Sequence, residues 1–127
     1  MGYCVVVIMR FVVCIKHTNP CGIAVHDDQT IAYQNAFKGD SVSAYGGVVA
    51  FNRTVTADTA DAMRGVLYDQ VIAPGFDSEA FNILKRRRKT RILEIIPASG
   101  PNEYLDVRSV SGGLLVQTVD ASNDDPK

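Results

Sequence analysis

The break between residues 15 and 22 constrains this chain most. Phe11-Val12-Val13-Cys14-Ile15 is an apolar run rich in β-branched residues, which reads as a buried strand. It stops at a cation, Lys16, and a titratable ring, His17, and Asn19-Pro20-Cys21-Gly22 comes shortly after. Proline fixes φ and glycine accepts positive φ, so this tetrapeptide is expected to form a tight turn. The expectation is a strand whose C-terminal end presents Lys16 and His17 above that turn. In open α/β sheets, ligands bind at the C-terminal strand edge. A solvated strand end with no chemistry predicts the same local pattern.

Further along, Thr30 to Phe37 has helical apolar spacing, with Asp27, Asp28 and Thr30 as candidate caps. Ser43-Ala44-Tyr45-Gly46-Gly47 reads as a small-residue loop before a strand, Val48 to Phe51. Thr56 caps an amphipathic helix expected from Ala57 to about Tyr68, with Asp58 at the positive end of its dipole. Val71-Ile72-Ala73 is a short strand stopped by Pro74-Gly75. Asp77 or Ser78 opens a helix that runs into Lys85-Arg86-Arg87-Arg88-Lys89, and Arg91 to Ile96 is a further strand. After a loop at Pro97 to Asn102, Val110 to Gln117 is strand-like and the last residues are polar. Strands alternating with helices at this spacing predict a layered α/β domain with a parallel or mixed sheet.

Composition narrows the function classes. A net charge of −1 supplies no global attraction to nucleic acid or acidic membranes. Three cysteines without a C-x-x-C pair indicate neither a disulfide framework nor a zinc cluster, and reduced thiols in the cytoplasm are expected. Residues 1–10 read as an atypical apolar leader or second strand. The run is interrupted by Arg10 and falls far short of the ~20 apolar residues of a spanning helix, so no targeting signal is expected. The basic run at 85–91 is expected to be a solvated helix end rather than a nucleic-acid patch, since cations suit a helix C-terminus. Cys21 lies near His17, but no third group is evident to orient a nucleophile pair.

Three strings taken in order carry a resemblance: Lys16-His17-Thr18-Asn19-Pro20-Cys21-Gly22, Ser43 through Arg53, and Val71-Ile72-Ala73-Pro74-Gly75-Phe76. Together with Arg91-Ile92-Leu93 and Gly112 through Gln117, they resemble the bifunctional purine-biosynthesis enzymes that pair AICAR formyltransferase with IMP cyclohydrolase. The likeness covers roughly residues 11–120 and lies in the formyltransferase part. It implies a three-layer α/β/α, cytidine-deaminase-like fold and a homodimer with sites at its interface. The implied reaction moves a formyl group from 10-formyltetrahydrofolate, the cosubstrate, to the 5-amino group of AICAR, giving FAICAR. By this resemblance Lys16 and His17 are the catalytic pair, and Tyr45 and Gly46 lie on the loop that contacts the base. Asp69 is a nucleotide-contacting acid, and Arg88 a basic position associated with the phosphate.

The residue types suit that chemistry. An aromatic amine conjugated with a carboxamide is a weak nucleophile, so the reaction needs positioning and a timed proton transfer. Imidazole changes charge near neutrality, and an amine at a strand end can accept a proton or stabilise an oxyanion. The order of these two roles is open from the sequence. Zinc deamination, a rival on the same fold, requires H-x-E with a downstream P-C-x-x-C. His17 is followed by Thr18-Asn19, His26 by Asp27-Asp28, and no cysteine follows Cys21, so no zinc is expected. The resemblance covers only a first subdomain at 11–120, with a polar tail at 121–127. The chain is therefore expected to be a fragment, weak or inactive alone. The alternative is a catalytically silent nucleotide-binding or dimerisation module of the same descent.

Overall fold

The computed structural model describes residues 9–96 and 105–118. They belong to two compact units, one within residues 5–97 and one containing 98–127. The expected leader (apart from its last two residues), the loop at 97–102 and the tail at 121–127 lie outside the described residues.

The first unit contains β1 (Arg10–Lys16), β2 (Asn19–His26), α1 (Gln29–Gly39), α2 (Ser41–Ala44) and β3 (Gly47–Phe51). It continues through α3 (Ala57–Ala62), β4 (Tyr68–Ala73), α4 (Ser78–Leu84) and β5 (Arg91–Glu94). The strands form one sheet in the order β2-β1-β3-β4-β5. β1 runs antiparallel to both β2 and β3, whereas β3, β4 and β5 are parallel. The fold is thus α/β with a mixed sheet.

One face of this sheet carries the core. Register places Val12 opposite Phe51, Cys14 opposite Val49, and Val49 beside Val71, all buried. Ala32, Tyr33 and Ala36 of α1, Ala60 of α3 and Leu84 of α4 close over that face. Full burial of each large apolar side chain contributes ~1.5–3 kcal/mol, so this cluster is the main stabilising feature. On the opposite face Val13, Ile15, Val48 and Ile72 are half-buried.

Helix starts follow local chemistry. Asp28 caps α1, accepting from the Thr30 and Ile31 amides at 2.7 and 3.2 Å. Asp77 accepts from the Ala80 amide at 2.6 Å and from the Ala57 amide at 3.0 Å, so one carboxylate fastens the starts of both α3 and α4.

Two local expectations are corrected. Asn19-Pro20-Cys21-Gly22 is the start of β2 and not a turn. Proline is tolerated there because β2 is an edge strand, where a missing N–H breaks no sheet ladder. Gly22 serves close approach: a Cβ would lie 1.9 Å from the Ala36 carbonyl oxygen on α1. The helix expected to reach Tyr68 ends at Ala62, because Gly65 takes φ +83° and the chain turns into β4. Tyr68 is a buried strand residue, its hydroxyl 3.1 Å from that of Tyr33.

The second unit is a hairpin of β6 (Leu105–Val110) and β7 (Gly113–Thr118), antiparallel, turning at Gly112 with φ +86°.

Candidate functional site

Lys16 ends β1 and pairs across the hairpin with Asn19, leaving His17 and Thr18 as a two-residue turn. Their φ angles are +49° and +69°, the left-handed pair that two-residue hairpin loops require. Asn-Gly is the usual filling of such a turn. Here a bulky ring and a β-branched residue occupy it, at a cost of roughly 1–2 kcal/mol per residue. The Thr18 hydroxyl and the Asn19 side-chain Nδ2 both donate to the His17 carbonyl, at 2.6 and 3.3 Å, and hold the turn. The His17 side chain is exposed and makes no hydrogen bond among the described residues. His26 differs: its Nδ1 accepts from the Asp28 amide at 2.9 Å and belongs to the entry into α1.

The Lys16 ammonium donates to the Tyr45 carbonyl at 2.8 Å. Gly46 follows with φ +68°, its amide donating to the Leu67 carbonyl at 2.8 Å. A Cβ on Gly46 would lie 3.4 Å from the Lys16 amine. Lys16, His17, Tyr45 and Gly46 therefore come together where β1 ends and β3 begins. β1 is antiparallel to its neighbours, so this is the N-terminal edge of β3, β4 and β5. The expectation of a C-terminal sheet edge holds for β1 alone.

Asp69 shares this edge. It sits in the register shift where Gly47 pairs with Tyr68 and Val48 with Gln70, and it is exposed. With strands ~4.8 Å apart, two strand steps separate the ends of β1 and β4 by about 10 Å, the scale of a small ligand. Arg88 precedes β5 at the same N-terminal edge, beside Leu67, whose carbonyl takes the Gly46 amide. It lies between α4 and β5 on a cavity of about 510 Å³ that none of Lys16, His17, Tyr45, Gly46 or Asp69 lines.

Both described thiols are engaged in structure. Cys14 is buried, and burial first, then the neighbouring Cys21, pushes its thiol up to about 11. The Cys21 thiol donates to the Cys14 carbonyl at 3.4 Å. Among the described residues no three His, Cys, Asp or Glu side chains are grouped to hold a metal ion. Sequence reasoning missed Thr18, half of the strained turn, and Arg87, whose guanidinium donates to the Val66 carbonyl at 2.8 Å. Strand pairing reveals the first; nothing in a basic run singles out the second.

Known structures share this α/β fold. Acinetobacter baumannii RibD superposes with a TM-score of 0.57 over 68% of this chain and 28% of its own, at 19% identity. A putative formate dehydrogenase accessory protein from Desulfotalea psychrophila also gives 0.57, covering 89% of this chain and 46% of its own, at 9% identity. Sequence carries the assignment further. Residues 3–127 match the AICARFT/IMPCHase bienzyme family, and the chain belongs to that family. The bifunctional purine biosynthesis protein PurH of Caldicellulosiruptor saccharolyticus is 44% identical over 108 residues, 85% of this chain and 21% of the relative. The PurH proteins of a Thermoanaerobacter species and of Dictyostelium discoideum are 46% and 43% identical, over 85% and 84% of this chain and 21% and 20% of their own lengths. The chain thus spans about a fifth of the relatives it matches.

Proposed function

We propose that the Lys16–His17 turn is the formyl-transfer centre of an AICAR formyltransferase acting in purine biosynthesis. The supporting observation is the hydrogen bond from the Lys16 amine to the Tyr45 carbonyl, which holds that amine against the Gly46 loop beside an exposed imidazole. In this reading the 5-amino group of AICAR attacks the formyl carbon of 10-formyltetrahydrofolate, giving a tetrahedral adduct with an oxyanion. The adduct collapses as the C–N10 bond breaks. The amine loses a proton and N10 of the departing folate gains one, leaving FAICAR and tetrahydrofolate. Lys16 and His17 divide proton acceptance and oxyanion stabilisation between them. Tyr45 and Gly46 face the base, Asp69 the nucleotide, and Arg88 its phosphate.

The same reading includes a homodimer with sites at the interface, a cytoplasmic location, and low activity for these 127 residues alone. Among the described residues no helix is long and apolar enough to cross a membrane. The test is formyl transfer monitored as FAICAR formation by the wild-type chain, Lys16→Ala and His17→Ala. Residual turnover that falls at least tenfold in both variants supports the reading; turnover unchanged in both rejects it.

A second reading, a catalytically silent dimerisation module, is favoured by the hairpin. Leu105, Val107, Leu114 and Val116 share one face of it and are 62, 52, 64 and 56% exposed. Exposed apolar clusters of this kind mark association surfaces. A monodisperse, soluble monomer by sedimentation would remove the ground for it.

A further inference from the structure

We propose that Thr90 and Arg87 are positioning residues for formyl transfer, holding in place the peptide group that carries the acceptor of the Lys16 amine. Their role rests on the formyl-transfer reading and extends it to side chains outside the Lys16–His17 turn.

The Tyr45 carbonyl and the Gly46 amide belong to one planar peptide group. Its oxygen accepts from the Lys16 ammonium at 2.8 Å, and its N–H donates to the Leu67 carbonyl at 2.8 Å. In a trans peptide these two groups point in opposite directions, so the plane is held from both sides. Rotation of that plane would swing the lysine's acceptor away from the end of β1. Hydrogen bonds in series also polarise one another, so the bond to Leu67 makes the Tyr45 oxygen a better acceptor.

The Leu67 carbonyl is itself fixed through its neighbours. The Val66 carbonyl accepts from the Arg87 guanidinium at 2.8 Å, and the Tyr68 carbonyl from the Thr90 hydroxyl at 2.8 Å. The peptide groups on either side of the Leu67 carbonyl are thus both held by the α4–β5 connection. α4 stops at Leu84, and the Arg87 and Thr90 amides then donate to the Leu84 and Arg87 carbonyls at 3.0 and 3.1 Å. The basic run is therefore a pair of turns and not the solvated helix end that the sequence suggested. Arg87 is half-buried, which ties its guanidinium to the carbonyl it has found.

The start of β4 needs this support. Gly65 takes φ +83° just before it, and the β3–β4 register shifts between Gly47 and Val48. The sheet ladder alone leaves this corner weakly specified, and side-chain donors from the next connection complete it. A purely structural role for Thr90 and Arg87 predicts lower stability throughout the first unit. Positioning predicts a change concentrated at Gly46.

Amide hydrogen exchange by NMR on the 127-residue chain, with AICAR titration of the same samples, separates the two. Thr90→Val removes the hydroxyl at nearly constant volume, Thr90→Ser keeps it, and Arg87→Met removes the guanidinium. The exchange rate at Gly46, taken relative to that at Ala36 within α1, should rise about fivefold or more in Thr90→Val and Arg87→Met. AICAR affinity should fall about threefold or more in both. Thr90→Ser should restore both quantities. An unchanged ratio, a raised ratio without loss of affinity, or no rescue by serine overturns the positioning role. Failure of the formyl-transfer reading registers separately, as AICAR affinity that Lys16→Ala leaves unaltered or as no binding by the folded wild type. Either result removes the positioning role with it, whatever the exchange ratio.

Discussion

A 2.8 Å hydrogen bond from the Lys16 ammonium to the Tyr45 carbonyl joins the end of β1 to the loop before β3. It fixes a flexible four-carbon side chain at one end of its reach, and the next residue is a glycine in the left-handed region. The geometry of the proposed centre depends on this contact more than on any other.

Gly46→Ala tests it. A methyl group meets both the strain of φ +68° and the Lys16 amine 3.4 Å away. The substitution should cost about 1–2 kcal/mol in stability, visible as a lower urea midpoint. It should also weaken AICAR binding, because relief of the backbone strain shifts the loop on which the lysine is held. Unaltered binding would show that the Lys16 position is not critical.

Thr18→Gly should act in the opposite sense on stability. Thr18 holds φ +69° with a β-branched side chain, and glycine relieves that strain. Some of the gain is offset by greater freedom in the unfolded chain, leaving a net stabilisation of about 0.5–1 kcal/mol. A lower denaturation midpoint would mean that the bond from Thr18 to the His17 carbonyl outweighs the strain.

Alkaline stability should reflect Cys14. Its thiol is raised from 9.0 to about 11 by burial and by Cys21, so the native state keeps a proton that the unfolded chain releases. That contribution is fully present below pH 9 and is lost as the pH rises toward 11. Tyr33 and Tyr68, also raised from 10.0 by burial, add a further decline above that value. Thermal midpoints should therefore fall from pH 9, and Cys14→Ala should delay the fall to about pH 10. Identical profiles for the two proteins would contradict the assignment.

Much of the fold was legible because its signals are local. The apolar run at 11–15, the caps Asp28, Thr56 and Asp77, and the short strand ending at Ala73 each follow from nearby residues. What was not legible depends on partners distant in sequence. Asn-Pro-Cys-Gly has turn composition, yet α1 lies over Gly22 and β1 pairs with the whole segment, so packing overrides propensity. The true turn, His17-Thr18, contains no turn-forming residue. The site divides in the same way. Lys16 and His17 are conspicuous at a strand end, and the Tyr45-Gly46 loop meets them through sheet pairing. Arg88 reads identically to its neighbours in a basic run, and only the fold shows that it lies at the same sheet edge.

The central claim, that the Lys16–His17 turn engages AICAR, is tested most directly by titrating the chain with AICAR alongside Lys16→Ala and His17→Ala. The account predicts saturable binding to the wild-type chain that weakens at least tenfold in each variant, with circular dichroism showing all three folded. Equal affinity in the three proteins, or no binding by the folded wild type at millimolar AICAR, would contradict it.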